Sequence, residues 1–266
     1  MELAGKVVII TGAGSGIGAA LARRFAAEGA AGLLLADLDG AAVERVAREL
    51  ATTEATIVPH LADVADAVQV RAMVEAAETD LGPVDLLCSN AGIGSGEGLD
   101  ASLESWQRSW EVNVLGHVHA AQAVVPHMVE RGEGYILATA SAAGLLTMIG
   151  DAPYSVTKHA AVAFAEWLAV TYGPQGIRVS ALCPQGVETP LLQGGSEEGS
   201  LPTQLVRAVA EVLQPDQVAD AVVAGLASER FLILPHAEVA DHHRNKARDP
   251  DRWIAAMQRL AATVAG

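Results

Sequence analysis

"KVVIITGAGSGIG" (6–18) decides the fold. Val7 to Ile10 are β-branched and apolar, which is how a strand reads. Glycines follow at 12, 14, 16 and 18, and helical spacing sets in from Ile17. A helix N-terminus presents unpaired amides and a partial positive charge, which suits a pyrophosphate. Side chains in such a turn would hold the phosphates away, hence the glycines. The usual spacing G-x-G-x-x-G is not met; Gly14, Gly16 and Ala19 satisfy only the looser variant ending in Ala. By itself the turn reads equally as a tight strand–helix junction. The strand before it and the helix after it favour a dinucleotide loop made by Gly12, Ser15, Gly16, Ile17 and Gly18.

Outward from that unit, Val/Ile/Leu-rich runs recur at 6–11, 32–37, 55–60, 84–89, 134–139, 177–182 and 231–234. Between them, helical spacing occupies 17–29, 40–51, 66–80, 102–130, 153–173 and 215–228, with a last helix at about 250–263. Strands apolar on both faces and alternating with helices predict an α/β fold. It is a doubly wound, seven-stranded parallel sheet with helices on both faces. A chain of 266 residues, half of them apolar and few aromatic, fits one such domain. The segment 188–214, with its Gly/Ser/Glu-rich stretch 193–200, is expected as a mobile substrate lid, and 236–266 as a helical tail.

Net charge is −15 with no Lys/Arg cluster, which argues against nucleic acid and against an anionic membrane surface. No apolar stretch reaches the ~18 residues of a spanning helix. "MELAGKVVII" runs straight into the first strand, so no leader is expected. Cys88 and Cys183 fall in strand-like runs and read as buried reduced thiols, which points to the cytoplasm.

Asp37 closes the second strand, where an acid can accept hydrogen bonds from ribose hydroxyls and repel a 2′-phosphate. Capping the next helix is the other role open to it, though Asp39 is better placed. Leu38 follows Asp37 and Ser15 sits in the loop, so no base stands at either place and NAD is expected over NADP. Asp63 could cap the following helix or contact adenine, with Asp66 competing for the cap. "SNAG" (89–92) ends the fourth strand, where the winding reverses; Asn90 could pin the loop, and Ala91 and Gly92 let a ligand approach.

"DAPYSVTKH" (151–159) places Tyr154 four residues before Lys158, on one helix face. A neighbouring ammonium lowers a phenol's pKa from about 10, so Tyr154 can serve as a general base near neutral pH. A Tyr–Lys pair on a solvated helix is the plain alternative. Ser141 lies at the carboxyl end of the fifth strand, without a histidine base or a G-x-S-x-G elbow; it can bind a substrate oxygen but not act as nucleophile. Asn113 is an unfavourable residue for the middle of the helix at 102–130, where it could bind a water or bend the helix.

Together "TGAGSGIG", Asp37, Asp63–Val64, "NAG" (90–92), Asn113, Ser141 and "YSVTK" (154–158) resemble the short-chain dehydrogenase/reductase family. The resemblance covers Lys6 to about Leu234. It implies the Rossmann fold, a catalytic tetrad of Asn113, Ser141, Tyr154 and Lys158, and adenine contacts from Asp63 and Val64. Tyr154 and Lys158 would also contact the cofactor, Lys158 through the nicotinamide ribose, and Asn113 would hold a relay water. Ser89 and Ala140 depart from the family's usual Asn and Ser. Gln185 stands inserted in the usual Pro-Gly, between Pro184 and Gly186, which unsettles the register of Val187 and Thr189 against the nicotinamide.

The expected activity is that of an NAD-dependent oxidoreductase interconverting a secondary alcohol and its ketone, with Tyr154 as general acid/base. The rivals are an NADP-dependent carbonyl reductase and a non-catalytic nucleotide sensor. His117 and His119 lie on different sides of a helix and no H-E-x-x-H occurs, so no metal is expected. Leu145, Leu146, Met148, Ile149, Leu191, Leu192, Leu201, Leu205 and Val206 are candidate walls for an apolar substrate, with Arg207 the one base among them. The helix from Tyr154 is apolar on most sides, which suggests a homotetramer or homodimer. The tail could complete a neighbour's pocket or cap its own subunit.

Overall fold

A computed structural model describes residues 1–194, 201–209 and 211–265. Seven parallel strands form one sheet in the order β3-β2-β1-β4-β5-β6-β7. They are β1 (Val7–Thr11), β2 (Gly32–Asp37), β3 (Thr56–Leu61), β4 (Leu86–Ser89), β5 (Gly134–Thr139), β6 (Ile177–Leu182) and β7 (Leu232–Ile233). β7 keeps only the middle of its expected run.

Alternation along the strands builds two cores. Ile9, Leu34, Leu87 and Ile136 face one side, where α3 (Ala67–Asp80), α5 (Gly116–Arg131) and α7 (Ala152–Tyr172) supply Met73, Met128 and Leu168. Val8, Ile10, Leu33 and Leu35 face the other, against Phe25 of α1 (Gly16–Ala27), Val43 of α2 (Gly40–Glu49) and Val222 of α10 (Pro215–Ala227). Burying both faces is what makes the strands read as unbroken apolar runs rather than alternating ones.

The chain winds outward from β1 to β3, then returns to lay β4 on the other side of β1. The loops after β1 and β4 therefore diverge at the carboxyl rim and leave a crevice.

The single helix expected over 102–130 is three elements: α4 (Leu103–Trp110), a π-helical turn (Glu111–Leu115), and α5. Asn113 sits in the π turn, fully buried. Its Oδ1 accepts the Ile93 N–H at 2.8 Å, and its Nδ2 donates to the Ile93 carbonyl at 2.8 Å. The bend places the amide against the loop after β4, and two good hydrogen bonds offset the interrupted ladder.

Three further short helices flank the rim: α6 (Ala143–Leu146), α8 (Pro190–Gly194) and α9 (Leu201–Val209). The expected lid at 188–214 contains the last two; of it, residues 195–200 and 210 lie outside the described residues, and with them most of the expected mobile loop. Its ends are joined: Val187 bridges Leu213, Glu188 N–H donates to Leu213 O at 2.9 Å, and Leu213 N–H to Gly186 O at 3.0 Å. The tail is two helices, α11 (Glu238–Arg248) and α12 (Pro250–Ala265), with α11 against α6 and α12 against α9.

Candidate active site

A cavity of about 650 Å³ opens along the carboxyl rim. Its first half is made largely of backbone. Gly12, Ser15, Gly16 and Ile17 line it. Gly16 has φ +51°, and a Cβ there would stand 3.0 Å from Thr189 Cγ2. Gly18 does not line the cavity; a Cβ on it would come 2.1 Å from the Gly12 carbonyl oxygen, so its bareness lets α1 start directly beneath the loop. The Thr11 hydroxyl accepts the N–H groups of Asn90 at 2.9 Å and Ala91 at 3.1 Å, while Asn90 Nδ2 donates to Thr11 O at 3.0 Å. These bonds hold Asn90, Ala91 and Gly92 across the crevice from the glycine loop.

Asp37 faces the cavity beside Leu38, and its Oδ2 accepts the Gly14 N–H at 2.8 Å. Asp39, not Asp37, caps α2 through the Ala42 N–H. The expectation of no base beside the loop is corrected. Arg45 reaches back along α2 and donates from Nη2 to the Gly14 carbonyl at 3.1 Å. Asp66 caps α3, which leaves Asp63 for the cavity wall next to Val64. Asp63 pairs with Arg108 Nη2 at 3.1 Å, and Arg108 lines the same wall.

The second half is made of side chains. Ser141 follows β5, Tyr154 and Lys158 project from α7, and all three line the cavity with Pro184, Gln185, Gly186, Val187 and Thr189 from the loop after β6. The departure at Gln185 thus leaves Val187 and Thr189 on the cavity wall. The Ser141 hydroxyl accepts the Ala143 N–H at 3.1 Å and donates to the Pro184 carbonyl at 3.4 Å, beside the Tyr154 phenol. Lys158 Nζ donates to Thr139 O at 3.0 Å and lies 5.5 Å from the centre of the Tyr154 ring. Asn113 touches none of the cavity. It fixes the Ile93 backbone and donates to Thr157 Oγ1 at 3.1 Å, and no water is needed to satisfy its amide.

The charge balance differs from the sequence expectation. Burial pushes the Tyr154 phenol up to about 12; the Ser141 hydroxyl works the other way, and the Asp151 carboxylate adds to the rise. Burial also drops Lys158 to about 8. Burial is thus the largest influence on both groups.

Two organising residues escaped the sequence reading. Asp151 is buried and caps α7, accepting the Tyr154 N–H at 3.0 Å. It also accepts from Ser95 Oγ at 2.7 Å and Gly96 N–H at 2.7 Å, which ties the loop after β4 to the tyrosine's helix. Aspartate followed by Pro153 in the first turn is a helix-start signal that was there to be read. His236 is buried after β7; its Nδ1 accepts the Gln185 N–H at 3.1 Å, and its Nε2 donates to Glu211 O at 3.0 Å. Nothing local in "LPHAEV" (234–239) announces that role.

Of the candidate substrate walls, Leu146, Met148, Ile149, Leu191, Leu192, Leu205 and Val206 line the cavity. Leu145 does not: it points into the core, because the short α6 turns it toward the sheet. The side chain of Leu201 lies outside the described residues. Arg207 is exposed and pairs with Glu188 at 3.5 Å. Cys88 and Cys183 are buried free thiols. Among the described residues no group of three His, Cys, Asp or Glu side chains is brought together for a metal.

A family model described as short chain dehydrogenase matches residues 6–199. A 1-deoxy-11-beta-hydroxypentalenate dehydrogenase of Streptomyces exfoliatus is 35% identical over 260 residues, covering 96% of this chain and 92% of that protein. A meso-2,3-butanediol dehydrogenase of Serratia marcescens is 38% identical over 240 residues, 90% of this chain and 94% of that protein. A short-chain dehydrogenase/reductase from Burkholderia phymatum, solved with NAD, superposes with a TM-score of 0.85 at 32% identity over 94% of this chain and 96% of its own. One from Sphingobium yanoikuyae, solved with NADPH, gives 0.78 at 28% identity over 95% of each chain.

Proposed function

The chain belongs to the short-chain dehydrogenase/reductase family, and from that premise we propose an NAD-dependent oxidoreductase that interconverts a secondary alcohol and its ketone. One observation carries the reading. Ser141, Tyr154 and Lys158, contributed by β5's end and α7, meet the glycine loop of β1 around a single cavity.

The chain's residues fit a dinucleotide. The bare Gly12 and Gly16 offer a pyrophosphate the N-terminus of α1; Ser15 and Ile17 flank it. Asp37 and Leu38 would take the adenosine ribose, Asp63 and Val64 the adenine. Asn90, Ala91, Gly92, Pro184, Gly186, Val187 and Thr189 would hold the nicotinamide end with Tyr154 and Lys158. When bound, the nicotinamide supplies the two-electron acceptor or donor.

The protein's own part is proton handling. Ser141 and Tyr154 hydroxyls would share the substrate oxygen, Ser141 orienting it and Tyr154 exchanging the proton at its phenolic oxygen. A phenol held near 12 is protonated at neutral pH, which suits donation to a carbonyl oxygen. In the opposite direction the phenol must be made more acidic, and positive charge brought near it in the loaded site does that. Lys158, near 8 and aimed by Thr139 O, would release and recover protons close to neutral pH and steer the ribose. Asn113 would act through Ile93, holding the loop after β4 that lines the cavity.

The Asp37 carboxylate at the ribose end supports NAD, since a 2′-phosphate placed there meets like charge. A second reading, with NADP, is favoured by Arg45 beside Gly14. Leu146, Met148, Ile149, Leu191, Leu192, Leu205 and Val206 make an apolar stretch of wall, and Arg207 lies outside it, exposed and paired with Glu188, which supports an uncharged substrate. A second copy covering α7 would account for Trp167 and Val170, 53% and 73% exposed on that helix. Among the described residues no helix is long and apolar enough to cross a membrane. The test is cofactor reduction across a panel of secondary alcohols, each offered with NAD and with NADP. NADH formation is expected. Faster turnover and tighter binding with NADP would move the assignment to the second reading, and no turnover of any alcohol or ketone would refute both.

A further inference from the structure

The two tail helices lie over their own cavity. His242 of α11 and Trp253, Met257 and Leu260 of α12 line it. The last three recur at i, i+4 and i+7, which is one face of a helix. Arg252, Ile254, Gln258 and Arg259 on the rest of α12 are exposed. α12 packs on α9, whose Leu205 and Val206 line the same half of the cavity.

The tail is also fastened to the opposite wall. Lys246 of α11 donates from Nζ to the Leu145 carbonyl at 2.7 Å, and the same nitrogen lies 3.4 Å from His159 Nε2 of α7. Leu145 is in α6, whose next residues Leu146, Met148 and Ile149 face the cavity. A cation on the last carbonyls of a helix is a favourable cap. It sets the register of α11 against the wall that adjoins Ser141 and Tyr154.

We propose that α11 and α12 are the specificity element of this site. Trp253, Met257 and Leu260 form an apolar roof that selects secondary alcohols whose carbon skeleton extends well beyond the carbinol, and Lys246 is the positioning residue that registers the roof. The inference rests on the alcohol oxidoreductase reading above. A small alcohol held by Ser141 and Tyr154 leaves the roof untouched and gains nothing from it. A long or multi-ring one removes apolar area of both surfaces from water, and its binding strengthens in proportion.

The experiment compares 2-butanol with 2-decanol, using the full chain with NAD. Trp253→Ala is expected to raise KM for 2-decanol by about tenfold to a hundredfold while shifting KM for 2-butanol and for NAD less than about twofold. Lys246→Met should move the 2-decanol to 2-butanol ratio the same way, and Lys246→Arg should restore it. Met257→Ala and Leu260→Ala carry the same expectation if Trp253→Ala does not fold, which thermal unfolding reports. Equal changes for the two alcohols, or none, would overturn the roof and leave the oxidoreductase reading intact. A parallel equilibrium titration with 2-decanone separates the two claims. If nothing is turned over, yet 2-decanone binds the wild type and not Trp253→Ala, the roof stands and the oxidoreductase reading falls. Unchanged 2-decanone binding in every variant removes the roof whatever the turnover.

Discussion

The two halves of the cavity are built in opposite ways. Around the glycine loop the surface is backbone, and its shape is fixed by contacts that admit no added atom, as at Gly18 against Gly12 O. Around Tyr154 the surface is side chains drawn from α6, α7, the loop after β6, α9 and α12. On the proposed reading the first half would hold what every dinucleotide shares, and its packing leaves little room for change. The second is assembled from side chains spread between residues 139 and 260, several of them on elements outside the sheet.

The sharpest test of the chemical half is Tyr154→Phe. It removes only the phenolic oxygen and should lower kcat by about 10³-fold with NAD affinity nearly unchanged, as measured by steady-state kinetics and cofactor titration. Comparable turnover would mean that the proton is handled elsewhere.

The steric half breaks at Gly18→Ala. A Cβ placed 2.1 Å from the Gly12 carbonyl must shift the loop or α1. Urea unfolding should show a loss of about 3 kcal/mol, together with weakened dinucleotide binding. A variant as stable as wild type would show that the loop is softer than its packing implies.

Next in size is a pH effect from Lys158. Burial lowers its folded-state pKa to about 8, below the roughly 10.4 of an unfolded lysine. Between these values the unfolded chain holds a proton that the folded protein lacks, so this group makes stability rise with pH there; below about 8 its penalty is fully present. Lys158→Met should therefore stabilise the ligand-free protein at pH 7 by on the order of 2 kcal/mol, and the gain should shrink toward pH 10.5. A difference between variant and wild type that is flat with pH would contradict the burial argument.

The smallest effect is expected at Asp37. Asp37→Ala removes a carboxylate that also accepts the Gly14 N–H, so NAD affinity should fall about tenfold, while NADP affinity holds or rises because Arg45 stays beside the loop. Parallel titrations measure the ratio. Equal losses for both cofactors would mean that Asp37 supports the loop and does not read the ribose.

What the sequence made legible follows the same division. The strand–glycine–helix unit, Asp37, "NAG" and the Tyr–Lys pair are short contiguous signals, each reporting a local conformation, and the alternation of runs set the sheet. Asn113 was marked as anomalous within a helix, though the π turn and its double bond to Ile93 depend on a loop twenty residues away that no local pattern names. Arg45 could not be placed beside Gly14 without knowing how α2 is rotated against β2. The last helix was expected at about 250–263, but that its Trp253, Met257 and Leu260 face the cavity is decided by tertiary packing. The rise that burial gives the Tyr154 phenol was illegible for the same reason. Spacing shows which charges are neighbours, whereas burial, which sets the sign here, is a property of the whole fold.

The joined ends of the segment after β6 have an evolutionary corollary. Val187 is bridged to Leu213, and the His236 imidazole clasps Gln185 to Glu211, so the two ends of the segment are held together. Lengthening such a loop costs little, since closure entropy grows only with the logarithm of length. Descendants of this chain could therefore change the length of the intervening segment, while the clasp keeps the cavity wall beneath it in place.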